Sequence, residues 1–179
     1  MTDSSNVSVV VVSFKSEKAL SVLLPSLPEN IELIIVNNSS DLYLEDIKKP
    51  NNYKEIRNTE NKGFGSACNI GVKVASKDYI FLLNPDTILH KDCIDNLLSA
   101  ANQLPKASAF APKIIGKKNR EGFKRRSILL EKSLWLKKPP NESSEIPIMG
   151  GAAIFVKKEN YLRAGGFDEN IFLYHEDDD

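Results

Sequence analysis

Cysteine, net charge and long apolar runs are all scarce in this sequence. Cys68 and Cys93 are the only cysteines among 179 residues. They lie outside any CxxC pattern, so neither a disulfide framework nor a zinc module is expected, and a reducing compartment fits. Twenty-four Lys and Arg balance twenty-four Asp and Glu, which leaves no global charge for wrapping nucleic acid and predicts no such partner. The apolar run VSVVVV from Val7 is too short, and lacks the basic flank, to be a signal peptide. No stretch approaches the roughly 20 apolar residues of a membrane span, so the expectation is a soluble chain, or at most a peripheral one. Its apolar content of 41% suits one well-buried core and is short for two, which predicts a single domain over 1–179.

What is present alternates between strand and helix patterns. Val7 to Ser13 is β-branched almost throughout, as in a strand buried on both faces of a parallel sheet. A helix is predicted over 16–27, with Ser16 as N-cap and Pro25 arguing for an earlier stop. Ile31 to Val36 reads as a second strand running into turn residues from Asn37, and Tyr53 to Arg57 as a short third. A glycine loop, NTENKGFG, precedes a helix over 66–76 with a defect at Gly71. Tyr79 to Leu83 is the next strand and 91–103 the next helix, followed by a strand from Ala107 to Ile115. Between Lys113 and Lys138 there are ten Lys or Arg and two acids, with Trp135 and leucines interleaved. IPIMGGAAIFVKK resumes the apolar pattern over 146–156, then come a helix near 158–164, a Gly165-Gly166 turn and FDENIFLYHEDDD.

Strands separated by helices of this length predict an α/β fold with a mostly parallel sheet. Ligands bind such sheets outside the carboxyl ends of the strands. There the sequence places Ser13, Asn37 with Asn38, and the tip of FLLNPDT, where a core strand ends on Asn84, Pro85 and Asp86. Asn-Pro-Asp suits a tight turn. Asp86 equally suits Mg²⁺ or Mn²⁺, hard cations that prefer oxygen ligands. Gly63, Gly65 and Cys68 approximate a dinucleotide fingerprint, but they follow the third strand rather than the first, which argues against NAD. YHEDDD reads either as a solvated acidic tail or as a segment that IFLY anchors to the core, bringing Glu176 and Asp177 to a cleft where one carboxylate serves as general base, with His175 the weaker candidate for that role. The basic 113–138 stretch is either a solvated loop or a surface for an anionic membrane or lipid-linked diphosphate.

In this order and spacing, VSVVVVSF, IIVNNSSD, NKGFGSACNIG, FLLNPDT, MGGAAIFVKK, GGFDE and FLYHEDDD resemble the family 2 glycosyltransferases, within them the rhamnosyltransferase-like branch. The resemblance implies a GT-A fold, a Rossmann-like sheet flanked by helices, with a nucleotide-binding part over about 1–115 and an acceptor-side part over about 116–179. It implies inverting transfer of a sugar from a UDP- or dTDP-sugar to an acceptor hydroxyl of a saccharide or lipid-linked acceptor, with Mn²⁺ or Mg²⁺ as cofactor. Ser13, Phe14, Asn37, Asn38, Asn61, Gly65, Asn69 and Asn84 would line the nucleotide sugar, and Asp86 would bind metal and diphosphate. Asp177 would be the catalytic base with Glu176 beside it. Gly150, Gly151, Phe167, Asp168 and His175 would shape the acceptor side. The implied location is cytoplasmic, with 113–138 offering peripheral contact at the inner face of a membrane.

Two departures from the family pattern stand out. Asn37 replaces an aspartate that hydrogen-bonds the nucleobase, and Lys15 stands where asparagine is common. Relatives also continue beyond the position of Asp179, which reads as truncation and admits a second hypothesis, a non-catalytic nucleotide-sugar-binding or assembly module. A nucleotidyltransferase is the third; it would need a glycine-rich basic loop after the first strand, and SFKSEKAL has no glycine.

Overall fold

The computed structural model describes residues 3–39, 47–116, 119–124, 126, 127 and 129–174. Strands β1 (Val7–Ser13), β2 (Glu32–Asn37), β3 (Asn52–Arg57) and β4 (Tyr79–Leu83) are mutually parallel. Every residue of β1 and β2 is buried, as expected of β-branched strands covered on both faces. Two later strands join them, β5 (Ala109–Phe110) and β8 (Ala153–Lys157); β8 runs antiparallel to β4, and β5 antiparallel to β8. The six form one central sheet of order β3-β2-β1-β4-β8-β5.

One face of the sheet is covered by α1 (Glu17–Leu23) and α3 (Cys93–Gln103), through Leu20, Leu23, Ile94, Leu97 and Leu98 packed on Val9, Val11, Phe81 and Phe155. The other carries α2 (Phe64–Val74) and α4 (Lys158–Ala164), through Ala67, Cys68, Val72 and Tyr161 on Val10, Val36, Ile80 and Leu82. Gly71, a defect by helix propensity, is where α2 comes closest to the sheet. A Cβ there would lie 2.4 Å from Val10 Cγ1 and 3.1 Å from Val36 Cγ2, so the missing side chain sets the helix–sheet spacing.

Several boundaries differ from the sequence expectation. The first helix stops at Leu23 and tightens into a 3₁₀ turn over Leu24–Ser26, because Pro25 lacks the amide to continue it. Ser16 occupies the N-cap position but donates its hydroxyl to Phe14 O rather than capping the helix. The strand expected from Ala107 to Ile115 is two: β5, and β6 (Ile114–Ile115), which pairs with β7 (Glu121–Gly122) in a separate ribbon. Pro112 falls between them and interrupts any continuous ladder.

The amino ends of the strands are tied together by Glu32, at 0% exposure. Its carboxylate accepts hydrogen bonds from Ser8 Oγ (2.5 Å), Ser76 N (2.7 Å), Ser76 Oγ (3.1 Å) and Lys54 Nζ (2.7 Å). Burial alone would push this carboxyl up; the Lys54 ammonium, the Ser76 amide and the two hydroxyls outweigh it and hold it at about 2.

Candidate functional site

Strand order 3-2-1-4 reverses direction between β1 and β4, and in open α/β sheets the crevice for ligands lies outside the carboxyl ends at that point. A cleft of about 590 Å³ occupies this position, lined by Lys15, Ser16, Glu17, Lys18 and Ala19 after β1 and by Asn84, Pro85 and Asp86 after β4. The β4 tip is a reverse turn. Thr87 N (3.3 Å) and Thr87 Oγ1 (2.8 Å) both donate to Asn84 O, while Asn84 N donates to Ala152 O (3.0 Å). Pro85 and Asp86 are its central residues, so the turn places Asp86 in the wall of the cleft. Among the described residues neither Asp86, Lys15 nor Lys18 has an ion-pair partner.

The β2 tip is arranged differently. Asn37 is at 0% exposure; its Oδ1 accepts from Ser39 N (2.8 Å) and Ser39 Oγ (3.0 Å), and its Nδ2 donates to Glu55 Oε1 (3.3 Å). β3 pairs with β2 so that Glu55 stands opposite Ile35 and Arg57 opposite Asn37, and Glu55 also accepts from Arg57 Nε (2.8 Å). An aspartate at position 37 would set a second carboxylate against Glu55. The amide donates to Glu55 instead, a partner that sequence reading missed because it depends on register. Asn38 Nδ2 donates to Gly63 O (3.0 Å), and Asn38 Oδ1 accepts from Asn58 Nδ2 (2.7 Å). Ser13 is buried at the end of β1, and among the described residues its Oγ has no hydrogen-bond partner. Phe14, beside it, is half exposed.

Asn61, Gly65 and Asn69 lie on the loop and helix of the α2 face and are not among the residues that line this cleft. Asn61 Oδ1 accepts from Gly63 N (3.0 Å). Gly63 has φ +81°, and a Cβ there would lie 2.2 Å from Phe172 O, to which Phe64 N donates (3.3 Å). Asn69 is a buried hub. Its Oδ1 accepts from Tyr161 Oη (2.6 Å) and Phe167 N (3.0 Å), and its Nδ2 donates to Phe167 O (2.9 Å) and Glu169 Oε1 (3.2 Å). Burial pushes the Tyr161 hydroxyl up, so it stays a neutral donor. Both ends of the Asn69 amide are thus committed to the 161–169 segment.

The residues expected on the acceptor side divide. Gly150 and Gly151 precede β8 and lie close to the β4 tip through Ala152. Phe167 packs on Phe64 and Tyr161, and Asp168 accepts from Asn170 N (2.9 Å) and Nδ2 (2.8 Å). The expected anchoring of IFLY by its side chains is corrected: Phe172, Leu173 and Tyr174 are 57%, 51% and 73% exposed. The backbone of Phe172, seated at Gly63, holds the segment instead. His175, Glu176 and Asp177 lie outside the described residues. In the basic stretch, Trp135 is half-buried beneath the Arg126 guanidinium (6.0 Å) and donates to Leu130 O (3.3 Å), while Leu129 and Leu134 are exposed.

A largely parallel sheet between two helical layers, with its cleft at the β1/β4 reversal, is the GT-A form of the α/β class. Solved structures share it: Staphylococcus aureus TarS 1–349 in complex with UDP (TM-score 0.67, 18% identity, 96% of this chain and 52% of that one) and the mannosyltransferase PcManGT from Pyrobaculum calidifontis in complex with GDP-Man and Mn²⁺ (TM-score 0.63, 15% identity, 93% and 48%). Residues 8–161 match Glycosyl transferase family 2, and the chain belongs to that family. The low-salt glycan biosynthesis hexosyltransferase Agl10 of Haloferax volcanii is 24% identical over 96% of the chain, which spans 59% of Agl10's length.

Proposed function

We propose that this chain carries the donor site of an inverting, metal-dependent glycosyltransferase that moves a sugar from a UDP- or dTDP-sugar, rhamnose among the candidates, to an acceptor hydroxyl in polysaccharide or glycolipid synthesis. The observation that supports this most is the cleft at the β1/β4 reversal, with the Asp86 carboxylate on one wall and the Lys15 and Lys18 side chains on the other. Cations and a carboxylate in one crevice suit a diphosphate accompanied by a divalent ion.

The donor set fits such an ion. Asp86 and Asn84 offer oxygen atoms, which Mg²⁺ and Mn²⁺ prefer. No group of three or more metal-ligating His, Cys, Asp or Glu side chains occurs among the described residues, so the remaining ligands would be diphosphate oxygens and water, the usual arrangement for Mg²⁺. When bound, the ion neutralises charge on the departing diphosphate. Asp177 receives the acceptor hydroxyl proton; the acceptor oxygen bonds to the anomeric carbon as the bond from that carbon to the diphosphate oxygen breaks on the opposite face. Glu176 and His175 flank the base in sequence, Gly150 and Gly151 border the acceptor side, and Gly63 and Asn69 position the segment leading to the base. The Lys113–Lys138 stretch gives the protein its contact with an anionic membrane carrying a lipid-linked acceptor.

Titration of the chain with UDP and dTDP in Mn²⁺, for the wild type and two variants, tests this reading. Asp86→Ala abolishes metal-dependent nucleotide binding, while Asp177→Asn binds nucleotide as the wild type does and loses sugar transfer. Unchanged binding by Asp86→Ala removes the site assignment; transfer retained by Asp177→Asn removes the base.

A further inference from the structure

Lys15 is one of three non-glycine residues with positive φ among those described, at +53°. A β-carbon in this left-handed conformation crowds the following carbonyl, and lysine lacks the short polar side chain with which asparagine bonds its own backbone there, whereas glycine prefers it. The conformation is imposed by its surroundings. Ser13 O accepts from Asn38 N (2.8 Å) and Lys15 N donates to Ser39 Oγ (3.4 Å), which holds the chain entering Lys15 against the β2 tip, while Ser16 Oγ closes a local turn on Phe14 O (3.0 Å).

The strained lysine is also placed where its charge can act. It lines the cleft opposite Asp86, in company with Lys18 and Glu17, and its ammonium lies 5.7 Å from the Phe14 ring centroid. No described carboxylate pairs with it. Backbone strain retained under an unpaired cation at the wall of a ligand cleft points to a role in binding.

We propose that Lys15 binds the diphosphate of the nucleotide donor, an assignment that rests on the donor reading above and adds a direct protein cation to the site. A compact ammonium on a flexible stem suits a phosphate group whose position changes as the sugar leaves. Lys18, on the first turn of α1, supplies the second positive charge of the same wall, and Glu17 stands between them in sequence.

The test exploits two effects of one substitution that have opposite signs. Lys15→Asn removes the charge and relieves the strain, Lys15→Arg keeps both, and all three proteins are titrated with UDP, dTDP, GDP and the matching nucleosides in Mn²⁺ at several NaCl concentrations. In Lys15→Asn the affinity for the diphosphates falls about fivefold to tenfold, the nucleosides bind as before, and the salt dependence of diphosphate binding flattens. The melting temperature of the same variant rises by about 1–3 °C. Lys15→Arg retains most of the diphosphate affinity and none of the thermal gain. Wild-type diphosphate affinity in Lys15→Asn overturns the assignment, as does an equal loss for nucleosides and diphosphates. A fall in melting temperature overturns the argument from strain on which the assignment depends. Failure of the wild type to bind any of the nucleoside diphosphates refutes the donor reading itself, and is distinguishable from the other results because it needs no variant.

Discussion

The two edges of the central sheet each carry a carboxylate, and the protein treats them in opposite ways. At the amino edge Glu32 is wholly buried, accepts four hydrogen bonds and joins β1, β2, β3 and the segment entering β4. Neighbouring contacts complete that edge: Lys77 N donates to Ser8 Oγ (3.2 Å), Asn6 Nδ2 to Asp78 Oδ2 (3.0 Å) and Lys158 Nζ to Ala75 O (2.6 Å). At the carboxyl edge Asp86 is exposed at the tip of a turn, Lys15 and Lys18 share its cleft, and Ser13 Oγ is buried with no partner among the described residues. A saturated polar network fixes structure because each group it buries is satisfied from within the fold. Unsatisfied charge facing a crevice leaves its interactions for a ligand. Removing a group from the first edge is therefore expected to cost stability, and from the second to cost binding.

Glu32 should show the largest stability effect. Glu32→Ala deprives Ser8 Oγ, Ser76 N and Ser76 Oγ of their acceptor inside the fold, a loss of about 3 kcal/mol or more. Chemical denaturation measures it, and a change below about 1 kcal/mol would show that the amino edge does not depend on this carboxylate. The same group predicts a pH dependence. Its folded pKa, about 2, lies below the ordinary 4.5, so its contribution is complete above pH 4.5 and is lost as pH falls from there toward 2. Glu32→Gln should be less stable at neutral pH and have a flatter profile between pH 4.5 and 2; an unchanged slope in that window would assign acid sensitivity to other groups.

How far these edges were legible in the sequence follows from what sequence patterns encode. β1, β2 and β4 declare themselves as uninterrupted apolar runs, and Asn-Pro-Asp after β4 encodes its own turn, so the Asp86 wall of the cleft was readable. Strand direction is not written in a run such as AIFVK, and β8 proved antiparallel. Nor does the sequence give register: Glu55 reaches Asn37 only because β3 pairs with β2 at Ile35↔Glu55. Asn69 was readable as polar and close to a glycine loop, yet its amide serves Tyr161 and Phe167, more than ninety positions away. Lys15 was visible only as a departure from the family pattern, since the positive φ that distinguishes it comes from the tips of two strands meeting.

An intermediate effect is expected where the carboxyl edge meets the segment that precedes the proposed base. Gly63 takes Asn38 on its carbonyl and lies against the Phe172 carbonyl where a side chain would go. Gly63→Ala both strains φ +81° and pushes Phe172 O away, at a cost of about 1–3 kcal/mol. Nucleoside diphosphate affinity should change less than about twofold while sugar transfer falls at least about tenfold, because the added methyl displaces the backbone at Phe172 and leaves the cleft walls in place. Parallel losses of binding and transfer would instead make this glycine part of the donor pocket.

The smallest effect belongs to Asn37, the point at which the carboxyl edge borrows the logic of the amino edge by satisfying a buried polar group internally. Asn37→Asp replaces the Nδ2 donor 3.3 Å from Glu55 with an acceptor, a like-charge contact costing about 1–2 kcal/mol when both groups are ionised. Glu55→Gln in the same background restores a donor opposite the new carboxylate and should recover most of that loss, which a double-mutant cycle in urea measures directly. Additive losses in the double variant would mean that Asn37 is held by Ser39 alone. Recovery would show that the asparagine and Glu55 form one unit, fitted to each other across the β2–β3 pairing.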